Sequence, residues 1–194
     1  MYGKVGNQAL ASGASGPLRL DQYGALVTNV GLAEAALAGR LFGVSNQAAV
    51  ATTAALATTW TGLCISNPST SGKNMIMRQF GFSQTVAGSA DGAIGLLTCT
   101  IAAPASAVTI QNQKVGGATS SMLADDGATL VGPVLQRVFG SIGTLAVTGY
   151  GTETIPPFDI NGLVVPPGYT IGSYTTKATT ASLVFYFVWE EVDV

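Results

Sequence analysis

The residues of this chain able to do chemistry are few, and their spacing works against catalysis. The sequence contains no histidine. That removes Ser-His and Cys-His nucleophile pairs and most catalytic zinc sites, which depend on an imidazole. Glu190-Glu191 is the most suggestive acid pair. Neighbouring residues of a strand point to opposite faces, so these carboxylates cannot flank one substrate as those of a glycosidase do. They read as polar punctuation at the end of an apolar strand. Asp125-Asp126-Gly127 offers the oxygens that calcium takes, but D-D-G is first of all a turn sequence. Asn67 to Asn74, N-P-S-T-S-G-K-N, has the glycine and lysine of a phosphate loop. It fails the motif at both ends: Asn67 stands where the first glycine belongs, and Asn74 follows Lys73 in place of Ser or Thr. It also joins two strand-like segments, whereas a phosphate loop leads from a strand into a helix.

The two cysteines, Cys64 and Cys99, lie in apolar surroundings, G-L-C-I and L-L-T-C-T-I. They read as buried thiols acting as small hydrophobes, and their spacing neither requires nor forbids a disulfide. Tyr150, Phe158, Tyr169 and Tyr174 have the chemistry of a sugar platform but read first as core or subunit-interface aromatics. The expectation is a chain that is not an enzyme and uses no cofactor and no metal.

Composition points to assembly instead. Charged residues make up 9% of the chain, against ~25% in ordinary globular proteins. Hydrophobic residues make up 47%, and the mean hydropathy is +0.42. Charge on the surface resists association, so so little of it suggests either a Ser/Thr/Asn/Gln/Gly surface or one buried in an oligomer or lattice, and interface cores are depleted of charge. The basic residues are scattered singly (Lys4, Arg19, Arg40, Lys73, Arg78, Lys114, Arg137, Lys177) and the net charge is −2. A nucleic-acid partner, which requires a basic patch, is not expected. Neither is a membrane: Gln47 to Trp60 is too short and too polar for the ~20 apolar residues a spanning helix needs. Met1 to Leu10 has no apolar segment of the kind a secretory leader carries.

The elements that must position these residues read as β. The last strand, Ala181 to Val192, is A-S-L-V-F-Y-F-V-W-E-E-V, a run of β-branched and aromatic residues. Leu183, Phe185, Phe187 and Trp189 share one face and Val184, Tyr186 and Val188 the other. Both faces are apolar, so the strand belongs in a sandwich core or against another subunit. Residues 1 to 17 are Gly-, Ala- and Ser-rich and read as an extended arm ordered on a partner. Residues 18 to 30 read as a hairpin turning at Asp21 to Gly24. Residues 32 to 38, stopped by Gly39, form the best helical segment. Residues 47 to 59, Ala- and Thr-rich, read equally as helix or extended chain. Downstream the pattern predicts strands over 60–66, 74–86, 93–102, 129–139, 142–148, 163–165 and 169–175. Residues 105 to 127 read as a long loop with a short strand at Val108 to Gln111. Gly81 marks a bulge or a close approach. Short strands separated by Gly/Pro turns are the signature of a sandwich or barrel. The division expected is residues 1–45 for arm, hairpin and short helix, and 46–194 for the β-sandwich domain.

Three stretches carry a resemblance. L-V-V-P-P-G-Y-T-I (163–171), the Thr-rich hairpin 175–180 and L-V-F-Y-F-V-W-E-E-V (183–192) resemble the close of jelly-roll virion proteins of tailed bacteriophages. T-G-L-C-I-S-N-P-S-T-S-G-K-N-M-I-M (61–77) is similar to a strand-loop-strand of such proteins. G-P-L-R-L-D-Q-Y-G-A-L-V (16–27) is similar to their arm-then-hairpin start. The resemblance implies an all-β fold, a jelly-roll-like antiparallel β-sandwich with an extended N-terminal arm and at most one or two short helices. It implies a capsid decoration (cement) or head-fibre protein without catalytic residues, commonly trimeric. Its partners would be copies of itself and the major capsid protein, its place the capsid exterior after synthesis in the host cytoplasm. Capsid or subunit contacts are expected at Leu10, Leu18, Leu20, Tyr23, Leu26, Phe42, Tyr186 and Trp189. Adsorption to host glycans, or a free carbohydrate-binding module, is the alternative.

Overall fold

The computed structural model describes residues 32–85, 91–101, 107–142, 157–160 and 162–194. One short helix, α1 (Leu32–Leu37), precedes eleven strands among these residues: β1 (Leu41–Ser45), β2 (Val50–Thr52), β3 (Thr59–Ser66), β4 (Lys73–Gln84), β5 (Gly92–Ile101), β6 (Gln111–Asn112), β7 (Leu123–Ile142), β8 (Phe158–Asp159), β9 (Val164–Val165), β10 (Thr170–Thr175) and β11 (Thr179–Asp193). Helix α1 ends where expected: Gly39 has φ +71°, a left-handed conformation that glycine adopts without a Cβ penalty. The 47–59 segment resolves in favour of extended chain, with β2 and a turn.

The sheets are antiparallel and pack as a sandwich. One has the order β6-β1-β11-β4-β8, with β2 also pairing β11 and β9 also pairing β4; the other closes on itself as β10-β3-β7-β5. The principal strands β1, β3, β4, β5, β7, β9, β10 and β11 pair first with last, second with seventh, third with sixth and fourth with fifth. That nesting is the double Greek key of a jelly roll. The second sheet closes because β7 is long: residues 123–129 pair with β3, and residues 130–142 pair with β5 on the far side.

The alternation of β11 fixes where the core lies. Leu183, Phe185, Phe187 and Trp189 all face inward and are inaccessible to solvent, while Val184, Tyr186 and Val188 are half-buried on the outer face. Opposite them stand Leu63 and Ile65 of β3, Ile94 and Leu96 of β5, and Ile171 of β10. Phe80 sits at the centre, its ring 5.1 Å from that of Phe187 and 5.4 Å from that of Phe139. A second, smaller cluster fills the closed sheet: Trp60, Cys64, Leu97, Cys99, Leu130 and Tyr174. It exists because Gly62 and Gly172 carry no side chain. A Cβ on Gly172 would lie 3.3 Å from the Trp60 ring and 3.3 Å from the Cys64 Cβ, tighter than a packed interior accepts without a shift.

Several expectations need correction. Strand β1 lies in the middle of its sheet, between β6 and β11, so the sandwich begins by Leu41 instead of at residue 46. Asp125-Asp126-Gly127 is not a turn. It runs inside β7, opposite Cys64 and Thr61 of β3, because a partner strand overrides the local turn preference. The segments on either side of Gly140 form one strand as far as Ile142; residues 143–148 lie outside the described residues. Gly81 is a close approach, its missing Cβ replaced by the Tyr186 ring, and the bulge of β4 falls at Arg78 instead. The arm and hairpin of residues 1–30 lie outside the described residues.

Candidate interaction surface

The adjacent carboxylates do point to opposite sides of β11, as strand geometry requires, but they are not surface punctuation. Glu190 and Glu191 are both buried. Glu190 is paired with two arginines: it accepts a hydrogen bond from Arg78 Nη2 at the β4 bulge and forms an ion pair with Arg40, whose Nη1, from the segment entering β1, lies 2.8 Å away. Glu191 accepts from the Ser120 hydroxyl and, at 3.2 Å to each oxygen, from the Ser121 amide, with Lys73 Nζ 3.8 Å away. Buried carboxylates persist only when paired and hydrogen-bonded, and here every oxygen is engaged. The pair clamps α1–β1, β4 and the 120–122 segment onto the end of β11.

The other chemistry-bearing groups are likewise consumed internally. The 67–72 loop joins β3 to β4, strand to strand, so it has no helix N-terminus to hold a phosphate. Asn67 is buried, donating to the Lys73 carbonyl at 2.8 Å and the Val165 carbonyl at 2.9 Å. Asn46 does the same work where the chain leaves β1, tying it to β11: its Nδ2 donates to the Leu183 carbonyl at 3.3 Å and its Oδ1 accepts from the Phe185 amide at 2.6 Å. Both thiols are free and buried. Burial, reinforced by the nearby Asp125 carboxylate, pushes the Cys64 thiol far up; burial alone pushes Cys99 up to about 11. Neither forms a thiolate at neutral pH, which is the reactive species. Among the described residues no group of three or more Cys, Asp or Glu comes together in a way that could hold a metal.

The aromatics weighed as a sugar platform are not brought together into one. Tyr174 lies in the small core, Phe158 packs on Phe82 and Phe139 at ring distances of 6.2 and 4.9 Å, and Tyr169 alone is exposed; Tyr150 lies outside the described residues. A cleft of about 260 Å³ borders Asn46, Gln47, Val50, Thr109 and Asp126. It falls below the ~300–1,000 Å³ of ligand pockets, and Asn46, its buried amide, is already satisfied.

What remains is surface. Phe42 and Trp189, expected as contacts, are core residues: they stack on each other with centroids 6.1 Å apart, and both are buried. Apolar area spent inside the sandwich cannot also meet a partner. Tyr186 stays on the outer face, half-buried, where burial raises its hydroxyl pKa. Leu10, Leu18, Leu20, Tyr23 and Leu26 lie outside the described residues. The exposed apolar residues concentrate somewhere else, on the outer half of β7: Val131, Val134 and Val138 are 52, 55 and 52% exposed and Leu135 41%. The signal for this lay in the sequence. Val134-Leu135 places adjacent apolar residues on opposite faces of one strand, and Arg137 is the only charge from Gly127 to Ile142.

No protein-family model, curated protein or solved structure matches the chain. No helix among the described residues is long and apolar enough to cross a membrane.

Proposed function

We propose that the chain is a structural virion protein of a tailed bacteriophage: a capsid decoration, or cement, protein. Made in the host cytoplasm, it would assemble with copies of itself, as a trimer, and bind the outer surface of the head through the major capsid protein. Linking neighbouring capsomers would stabilise the shell by burying apolar area, at ~25 cal/mol per Å². One observation carries this reading. The buried carboxylates Glu190 and Glu191 and the buried amides Asn46 and Asn67 are spent on holding the sandwich together, while the outer half of β7 exposes Val131, Val134, Leu135 and Val138. That is the investment of a protein that works by contact. The jelly-roll order adds support, since the fold recurs in capsid and lectin domains, although a fold by itself assigns no function.

The test uses purified chain and heads of the phage that encodes it. The full chain should co-sediment with the heads. Deleting residues 1–17 should abolish co-sedimentation while the far-UV circular dichroism stays that of a folded β protein. Full binding by the truncated chain would remove the arm from the contact, and absence of binding by the intact chain would reject the decoration role. The exposed Tyr169, beside the Pro166-Pro167-Gly168 turn, favours the second reading, a fibre or module that adsorbs to glycans. A glycan array decides: a decoration protein gives no reproducible hit.

A further inference from the structure

The cleft beside Asn46 sorts its lining by depth. Val108 is buried in the main core and Val50 is half-buried against it, so the floor is apolar. Gln47, Thr109 and Asp126 are exposed and make a polar rim. Strand geometry puts the carboxylate there. Ala124 of β7 faces the main core, and side chains two apart on a strand share a face. Asp126 is therefore carried on that face to the margin of the core.

The rim sets the sign of what fits. Asp126 is the only charged residue of the lining. Glu190 and Glu191 are matched by Arg40, Arg78 and Lys73, whereas no Lys or Arg among the described residues pairs with Asp126. A cation is therefore favoured over an anion or a neutral group.

The floor and the size set its shape. At about 260 Å³ the cleft is smaller than the ~300–1,000 Å³ of pockets for free ligands, and it offers room for one side chain. Lysine lays an apolar stem along a hydrophobic surface and keeps its cationic head at the water. Its ammonium has three donors. The rim supplies acceptors in the Asp126 carboxylate, the Gln47 carboxamide oxygen and the Thr109 hydroxyl. Arginine, with five donors in a fixed planar fork, would leave more of them unmet.

We propose that this cleft receives a lysine side chain of a protein partner, its methylenes on Val50 and Val108 and its ammonium on Asp126. The identity of that partner, the major capsid protein, rests on the decoration reading; the preference of the cleft for lysine does not. The first experiment follows the backbone amide NMR signals of the full chain as Nα-acetyl-lysine amide is added. The signals of Gln47, Val50, Thr109 and Asp126 should move together. Nα-acetyl-norleucine amide keeps the stem and lacks the charge, and it should bind about two- to fivefold more weakly. Asp126→Asn should weaken lysine binding by a similar factor, as should raising the salt from ~0.15 to ~1 M. Asp159→Asn, at an exposed carboxylate of β8, should leave it unchanged. Circular dichroism checks that both variants keep their strands. Norleucine binding as well as lysine, tighter binding of Nα-acetyl-arginine amide, or no movement at the cleft overturns the site. The second experiment is co-sedimentation of Asp126→Lys with heads, which should fall below that of the wild type. Undiminished co-sedimentation removes a capsid lysine from the cleft. Lysine binding by a chain that never sediments with heads rejects the decoration reading and leaves the site standing.

Discussion

Single residues carry the difference between a group available for chemistry and one spent on the fold. Glu191 is the clearest case: nothing in E-E-V says that its oxygens meet the Ser121 amide and Ser120 hydroxyl. Removing it orphans buried donors, so Glu191→Ala should cost ~3 kcal/mol in urea unfolding. Glu190→Ala should cost less, ~1–2 kcal/mol, because Arg40 and Arg78 retain access to water. Equal and negligible losses would mean that the clamp is ornamental. The thiols give a pH dependence with a definite sign. Cys99 holds its proton up to about 11, above an ordinary value of 9.0, and Cys64 holds its own higher still. The native state then binds more protons than the unfolded chain above pH 9, and stability falls where that is so. Stability should be flat in this respect below ~9 and decline from there through ~11. Cys64→Ala with Cys99→Ala should flatten part of that decline in urea melts run across this range. The remainder belongs to other groups, among them Tyr186, whose raised pKa acts in the same direction.

At the scale of the element, β11 shows how one strand serves two environments. Its inner residues complete the aromatic core, whereas its outer ones lie half-buried over β4 and β1. Phe187→Ala should cost ~3–5 kcal/mol by opening a cavity beside Phe80, and Val188→Ala on the other face only ~1 kcal/mol. Comparable losses in thermal melts would place cover over the outer face equal to that inside. β7 differs in kind. Its first half pairs with β3 and its second half, among the described residues, with β5 alone; in that second half Leu130 and Phe139 reach the cores while Val131, Val134, Leu135 and Val138 stay exposed. The pattern T-L-V-G-P-V-L-Q-R-V-F was legible as strand, because β-branched, leucine and aromatic residues dominate it. Its length was not. Local sequence marks Asp125-Asp126-Gly127 as a turn, and only pairing with β3 makes it strand.

For the whole molecule, the nested order has a kinetic consequence. The first strand pairs with the last, Leu41 opposite Glu190, so most of the chain must be brought together before the central sheet can close. Such non-local pairings make folding slow. Refolding followed by tryptophan fluorescence should take ~milliseconds to seconds or longer; full recovery of native signal in microseconds would contradict the order of strands. The tertiary order also separates what was readable in advance from what was not. The sequence by itself determined an all-β sandwich, the inward face of β11, the end of α1 at Gly39, and a loop at 67–72 that leads from strand to strand. Each of these is a local matter, set by side-chain alternation, by a glycine's freedom at positive φ or by turn residues. Only the tertiary structure decided that Phe42 and Trp189 stack inside, that Glu190 and Glu191 are clamped, that β7 closes a sheet onto itself, and which valines are left outside. Those outcomes depend on which distant strand lies opposite, and a residue's neighbours across a sheet are fixed by register and topology, which no local window contains.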